Sequence, residues 1–160
     1  MILANILFCD QDDLGQILEV NRASPYPWSE RIITRDLLVG DTRLSYIGAF
    51  ASAGKEKLLG YAVLGDEKGN GLLMNLAVLP AHRRRGFGTQ LTVAAAECAR
   101  DMGFSALALR VRLSNFAALA LYGSLGFKIG ATLENFYSNG DAAQYMSAKL
   151  PLVIAEEMWE

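Results

Sequence analysis

An apolar strand at about 72–79, a long helix at about 87–102 and a second apolar strand at about 105–112 follow one another in this chain, and no other feature limits its fold as much. Leu91, Ala94, Ala95, Cys98 and Met102 have the spacing of a core-facing helix stripe, and Gly103 stands where a glycine closes a helix. A helix at about 115–125, ended by Gly126, and strands at about 127–137 and 142–150 follow. Upstream, strands at about 44–51, 57–65 and 72–79 read as an antiparallel meander, with a turn over Asp66–Gly71 before the last. Antiparallel strands followed by a strand–helix–strand–helix passage give an α+β fold, with a central mixed and mostly antiparallel twisted sheet.

The N-terminal part adds a strand at about 2–9 and a helix that Asp10 caps, running to about Ala23 with Leu14, Ile17, Leu18 and Asn21 on one side. Ser24-Pro25-Tyr26-Pro27 breaks it. Ser29 then caps a short helix with Ile32, Ile33, Leu37 and Leu38 as its apolar face. The count is about seven strands and four helices. Without repeats or linkers, residues 1–150 read as one domain and 151–160 as a tail, Pro151 stopping the last strand. The tail reads as a short amphipathic helix or a frayed end.

Composition narrows the class. Of 160 residues 52% are hydrophobic and 20% charged, which is globular, and the net charge of −2 argues against general nucleic-acid binding. No apolar run approaches the roughly 20 residues of a membrane span, and Met1–Cys9 lacks the basic start of a leader. Cys9 and Cys98 have no CxxC spacing, and His82 is the single histidine. The expectation is reduced thiols in a cytoplasmic protein and no metal site.

The segment from Leu76 to Thr89 carries the first chemical signal. It places a Gly-rich turn between a strand and a helix N-terminus, where free N–H groups and the helix dipole favour an anion. Gly86 and Gly88 let the backbone approach a phosphate, and Arg83, Arg84 and Arg85 add positive charge. A dinucleotide fingerprint fails because Leu91 occupies its third glycine position, and no P-loop Gly-Lys-Ser/Thr is present. Taken alone, the turn reads equally as a tight bend with solvated arginines.

The second signal is Asn115 to Tyr122, seven residues apart and so on one helix face about 10 Å apart along the axis. An amide and a phenol so placed suit two points of a long ligand. Read alone, Asn115 is better taken as an N-cap and Tyr122 as a core aromatic.

Together these motifs resemble the GNAT acyltransferase family: R-x-x-G-x-G at Arg83, Gly86 and Gly88, then N-x-x-A-x-x-L-Y from Asn115 to Tyr122, then Gly126-Phe127. Pro27-Trp28-Ser29-Glu30 and Asn135-Phe136-Tyr137 resemble its RimI-like branch, whose members acetylate protein N-termini. The resemblance implies a GNAT fold and acetyl-coenzyme A as cosubstrate. It implies that the backbone of Leu76, Ala77 and Val78 pairs with the pantetheine arm and that the N–H groups of Arg84, Arg85, Gly86, Phe87, Gly88 and Thr89 cradle the pyrophosphate. Asn115 would hold the pantetheine, and Tyr122 would protonate the departing thiolate. Trp28, Arg110 and Tyr137 are the expected acceptor contacts. Monomer and homodimer are both compatible with the sequence.

One position departs from the branch. Where it has a glutamate, five residues before the asparagine, this chain has Arg110, which cannot act as a base at neutral pH. A carboxylate restored at position 110 would then be expected to raise the rate, and Glu30, Asp141 or a backbone carbonyl acting through water is a further source of base. Without a strong base, acceptor pKa decides. An α-amine is roughly 10–17% neutral at pH 7, a lysine only about 0.04%. An N-terminal α-amine is therefore the expected acceptor. A small-molecule amine and a non-catalytic acyl-coenzyme A sensor are the competing readings, and acidic residues around the acceptor groove would favour polycationic amines.

Overall fold

The computed structural model describes residues 2–40, 43–51 and 54–154. Its strands are β1 (Asn5–Phe8), β2 (Ser45–Phe50), β3 (Leu58–Glu67), β4 (Asn70–Val78), β5 (Ala106–Arg112), β6 (Lys128–Leu133) and β7 (Ala143–Lys149). Its α-helices are α1 (Leu14–Arg22), α2 (Glu30–Val39), α3 (Phe87–Asp101) and α4 (Phe116–Ser124). One seven-stranded sheet has the order β1-β2-β3-β4-β5-β7-β6, antiparallel throughout except for β4 beside β5. None of the described helices is long and apolar enough to cross a membrane.

Both faces of the sheet centre are covered, so β3 is buried from Leu58 to Gly65. Tyr61 and Val63 point to the side of α1 and α2, packing with Ile17, Val20 and Ile33. Ala62 and Leu64 point to the other side, where Leu91 and Ala95 of α3 meet Leu107, Leu109, Tyr122 and Leu125. The period-two alternation of one strand thus serves two cores.

The strand β4 carries the decisive irregularity. Val63 of β3 pairs with Asn75 and Leu64 with Leu73, which leaves Met74 as an extra residue on β4. Such a bulge bends the strand that holds it. Pairing of β4 with β5 is confined to Gly71–Leu73 against Leu107–Leu109, and the bulge begins at the next residue. Beyond it β4 follows β3 and parts from β5.

Several local expectations shift. The turn after β3 is shorter than the sequence suggests: Glu67 pairs with Asn70, and Lys68 and Gly69 have φ of 51° and 83°, the pattern of a tight two-residue hairpin. Asp10 caps a 3-10 turn at Gln11–Asp13 through a reciprocal bond pattern with Asp13, and α1 starts only afterwards. On α1 Val20 joins Ile17 and Asn21 in the interior, while Leu14 and Leu18 are half-buried. On α2 the inward residues are Ile33 and Asp36, whose carboxylate accepts from Tyr46 Oη at 2.8 Å; Ile32 and Leu38 are exposed. Ser29 sits at the N-cap position but makes no side-chain cap bond. Met102 is exposed because α3 stops at Asp101 and the chain turns away through Gly103. The sixth strand ends at Leu133, and a loop over 134–142 replaces the expected extension to 137. Leu152 and Ile154 pack on the main core, and the remainder of the tail lies outside the described residues.

Gly126 follows α4 with φ of 91°. Its N–H donates to Gly123 O and the Phe127 N–H to Tyr122 O, the double bond of a left-handed helix cap. A Cβ there meets nothing closer than Val153 O at 4.0 Å, so an alanine would lose only backbone energy. Gly126→Ala is expected to lower unfolding free energy by about 1–2 kcal/mol, read from urea melts.

Buried acids of high pKa set a limit on the alkaline side. Burial, with Asp13 nearby, pushes the Cys9 thiol up to about 12, and burial likewise raises the phenols of Tyr46, Tyr61 and Tyr122. These groups hold protons in the fold that the unfolded chain releases. Stability is therefore present in full below pH 9.0, the thiol's reference value, and is lost as pH rises from there through about 12. Melts across this range should show the midpoint falling steadily; a flat profile would contradict the burial of these groups.

Candidate active site

A cavity of about 520 Å³ occupies the opening between β4 and β5. Leu76, Ala77 and Val78 line one side, Leu109–Arg112 the other, and Asn115, Ala118 and Tyr122 of the α4 region close it. The α1–α2 loop, Ser24 to Trp28, and Tyr137 complete its rim. Trp28, Arg83, Arg110, Asn115, Tyr122 and Tyr137, drawn from distant parts of the sequence, therefore meet in one place. Arg84, Arg85, Gly86, Phe87, Gly88 and Thr89 lie outside it, at the start of α3.

The backbone of β4 offers hydrogen bonds to the opening. The Leu79 N–H donates to Leu59 O at 2.8 Å, so Leu79 and, two residues back, Ala77 direct their backbone groups toward β3. Those of Leu76 and Val78 point the other way. The expectation that all three residues offer backbone pairing is corrected here: Ala77 is committed to the sheet. Arg83 Nε donates to Val78 O at 3.1 Å, and its NH2 to Ala23 O at 3.4 Å. Arg83 thus ties the turn to β4 and to the end of α1 and does not stand free as a phosphate ligand. The N–H groups of Leu76 and Val78 and the carbonyl of Leu76 face the gap.

At the start of α3, Gly86 is the N-cap with φ of 88°, and Arg84 is also left-handed at 61°. Only glycine takes the first conformation without strain, and the second is the kind of backbone cost found at functional turns. The N–H groups of Phe87, Gly88 and Thr89 have no helical acceptor. The Phe87 side chain is buried against His82 and the Thr89 residue is buried, so backbone alone is presented there. Gly88 serves packing: a Cβ would stand 3.2 Å from Leu121 Cδ2, so its absence lets α3 approach α4.

Asn115 is both cap and wall. Its Oδ1 accepts from Ala118 N at 3.2 Å, an N-cap bond worth about 1 kcal/mol, and this leaves its Nδ2 for the cavity. Tyr122 is 6% exposed, edge-on to Phe127 at 5.6 Å, and no hydrogen bond holds its hydroxyl among the described residues. Burial raises its pKa, with Tyr137 adding to the shift, so the phenol stays protonated throughout the neutral range.

Two features escaped the sequence. Asn21, which has the spacing of an apolar stripe, is buried and bonds both backbone groups of Trp28: Trp28 N to Oδ1 at 2.8 Å and Nδ2 to Trp28 O at 3.0 Å. It fixes the α1–α2 loop at the rim. Arg112 lies between the rings of Tyr26 and Tyr137, 4.4 and 3.9 Å from their centroids, and donates to Asp141 Oδ2 at 2.9 Å. It joins two loops across the cavity mouth. No sequence spacing announces either contact, because each joins a helix or strand residue to loop residues whose course the spacing does not fix.

The bases suggested by sequence are engaged elsewhere. Glu30 is paired with Arg22 at 2.6 Å on the exterior, and Asp141 with Arg112. Arg110 is bound by Glu67 through two bonds of 2.8 and 2.7 Å, so a glutamate at 110 would face a second carboxylate and would not simply restore a base. Arg112→Leu should release the loops. Its expected effect is a KM for acceptor raised on the order of tenfold with affinity for coenzyme unchanged, read from steady-state kinetics beside calorimetry.

Residues 12–127 match the model of the Acetyltransferase (GNAT) family. The chain is 32% identical over 123 residues to the ribosomal protein bS18-alanine N-acetyltransferase of Escherichia coli, spanning 77% of this chain and 79% of that protein. It is 28% identical over 155 residues to an N-alpha-acetyltransferase of Saccharolobus solfataricus, spanning 87% and 89% of the two. The crystal structure of the Escherichia coli ribosomal-protein-S18-alanine N-acetyltransferase superposes with a TM-score of 0.79 at 26% identity, covering 96% of this chain and 97% of that one.

Proposed function

The chain belongs to the GNAT acetyltransferase family, and we propose that it transfers an acetyl group from acetyl-coenzyme A to the N-terminal α-amine of a protein or peptide in the cytoplasm. The observation that carries this reading is the opening of β4 from β5. It leaves the backbone of Leu76 and Val78 facing a cavity that also holds Tyr122 and Asn115.

The donor set fits the cosubstrate. Leu76 and Val78 offer strand-like pairing to an extended amide-containing arm, Asn115 Nδ2 a further donor, and the first turn of α3 three N–H groups to a pyrophosphate. Acetyl-coenzyme A, when bound, supplies the activated acyl thioester. The Val78 N–H is placed to polarise a carbonyl lying in the gap. Tyr122, protonated at neutral pH and not held by another group, gives its proton to the departing sulfur.

The acceptor follows from charge. Among the described residues, those lining the cavity include Arg83, Arg110 and Arg112 and no Asp or Glu. Glu67 and Asp141, the carboxylates beside two of these arginines, are engaged by them, so no free carboxylate lines the cavity among the described residues to bind a polycationic amine or to deprotonate a lysine. An α-amine, roughly 10–17% neutral at pH 7, needs no strong base. The two relatives named above, a ribosomal protein bS18-alanine N-acetyltransferase and an N-alpha-acetyltransferase, support the same class.

Isothermal titration of acetyl-coenzyme A into the unmodified protein should give saturable binding that Gly86→Glu abolishes. Tyr122→Phe should retain binding while kcat on an N-terminal peptide falls on the order of a hundredfold. Absence of binding to the unmodified protein would overturn the acyltransferase reading. Binding without turnover on any amine would leave an acyl-coenzyme A sensor.

A further inference from the structure

A second cavity, of about 210 Å³, opens off the first. The two share Trp28, Leu73, Met74, Arg110 and Tyr137, and the smaller adds Leu72 and Phe136. Its walls are apolar, and its three aromatic side chains have defined neighbours. Trp28 is held by Asn21, the Tyr137 ring by Arg112, and Phe136 lies edge-on to Tyr137 at 5.1 Å. One charged group reaches it, the Arg110 guanidinium, which stands 5.3 Å from the Phe136 ring centre.

That guanidinium is already neutralised. Both Glu67 oxygens accept from Arg110, and Glu67 is brought there by the tight Lys68-Gly69 turn. A cationic side chain entering the cavity would find the Glu67 carboxylate already engaged by Arg110 and remain unpaired among apolar walls, and an acidic one would compete with Glu67 for the same donors. An uncharged apolar side chain meets neither penalty and gains aromatic and thioether contact.

We infer that this side cavity receives the first side chain of the acceptor and selects a large uncharged apolar residue, such as Met or Leu, with the Arg110–Glu67 bridge excluding charge of either sign. The inference rests on the N-terminal acceptor proposed above. In the bound acceptor the α-amine would lie in the larger cavity near Tyr122 and Val78, and its side chain would enter the smaller one beside it. Glu67 and Arg110 act on selection and not on the acetyl-transfer step.

The test is initial rates with peptides identical except for Met, Leu, Ala, Asp or Lys at the first position, using the unmodified protein, Glu67→Gln and Phe136→Ala. Ratios between two peptides on one preparation do not depend on how much of it is folded. Expected is kcat/KM for Met and Leu at least about tenfold above Ala, the scale on which an apolar pocket discriminates, with Asp and Lys below Ala. Glu67→Gln should raise the Asp-to-Met ratio on the order of tenfold by freeing Arg110, and Phe136→Ala should lower the Met-to-Ala ratio. An Ala peptide equal to or better than Met and Leu would overturn the pocket assignment while leaving N-terminal acetylation standing. An unmoved Asp-to-Met ratio in Glu67→Gln would overturn the role of the bridge. Inertness of all five peptides beside turnover of a free small amine would overturn the acceptor class and this inference with it.

Discussion

The parting of β4 from β5 is the constraint on which the site depends. A parallel pair inside an otherwise antiparallel sheet would ordinarily run its length, since each unpaired backbone group in an interior carries a cost. Here three residues of β4 are paired, Met74 bulges, and the strand leaves. The consequence is a row of backbone donors and acceptors in the middle of a sheet, which a ligand of extended form can satisfy. Stability is given up along β5 and held along β3, where pairing continues to Val78.

Around that opening the molecule uses polar side chains as fasteners. Asn21 holds Trp28, Arg83 holds the turn before α3 against β4, and Arg112 joins the loops bearing Tyr26 and Tyr137. Each bonds backbone or stacks on aromatic rings, so each defines the position of a loop that has little core of its own. The left-handed cap at Gly126 does the same for Tyr122, because the bond from Phe127 N to Tyr122 O brings the aromatic neighbour into place.

Arg110 shows how a residue read alone is misjudged. In the sequence it marks the loss of a base. In the fold it is one half of a bridge with Glu67, 43 positions earlier. The turn at 68–69 reads as a longer loop in the sequence, which hides Glu67 as a strand residue facing β5. Two charges that would each be costly in an apolar cavity become tolerable as a bidentate pair.

The sequence by itself determined the α+β class, the order of strands and helices, the helix ends at Gly103 and Gly126, and the turn and helix that carry the family motifs. These follow from local rules: period, glycine conformation, and the free N–H groups of a helix start. Tertiary structure alone decided the bulge at Met74, the end of the sixth strand at Leu133, and the partners of Arg83, Arg110 and Arg112. Each of these depends on which distant group arrives beside a residue. A side chain's spacing along the chain records its face, whereas its partner is set only when strands and loops from separate regions are brought together.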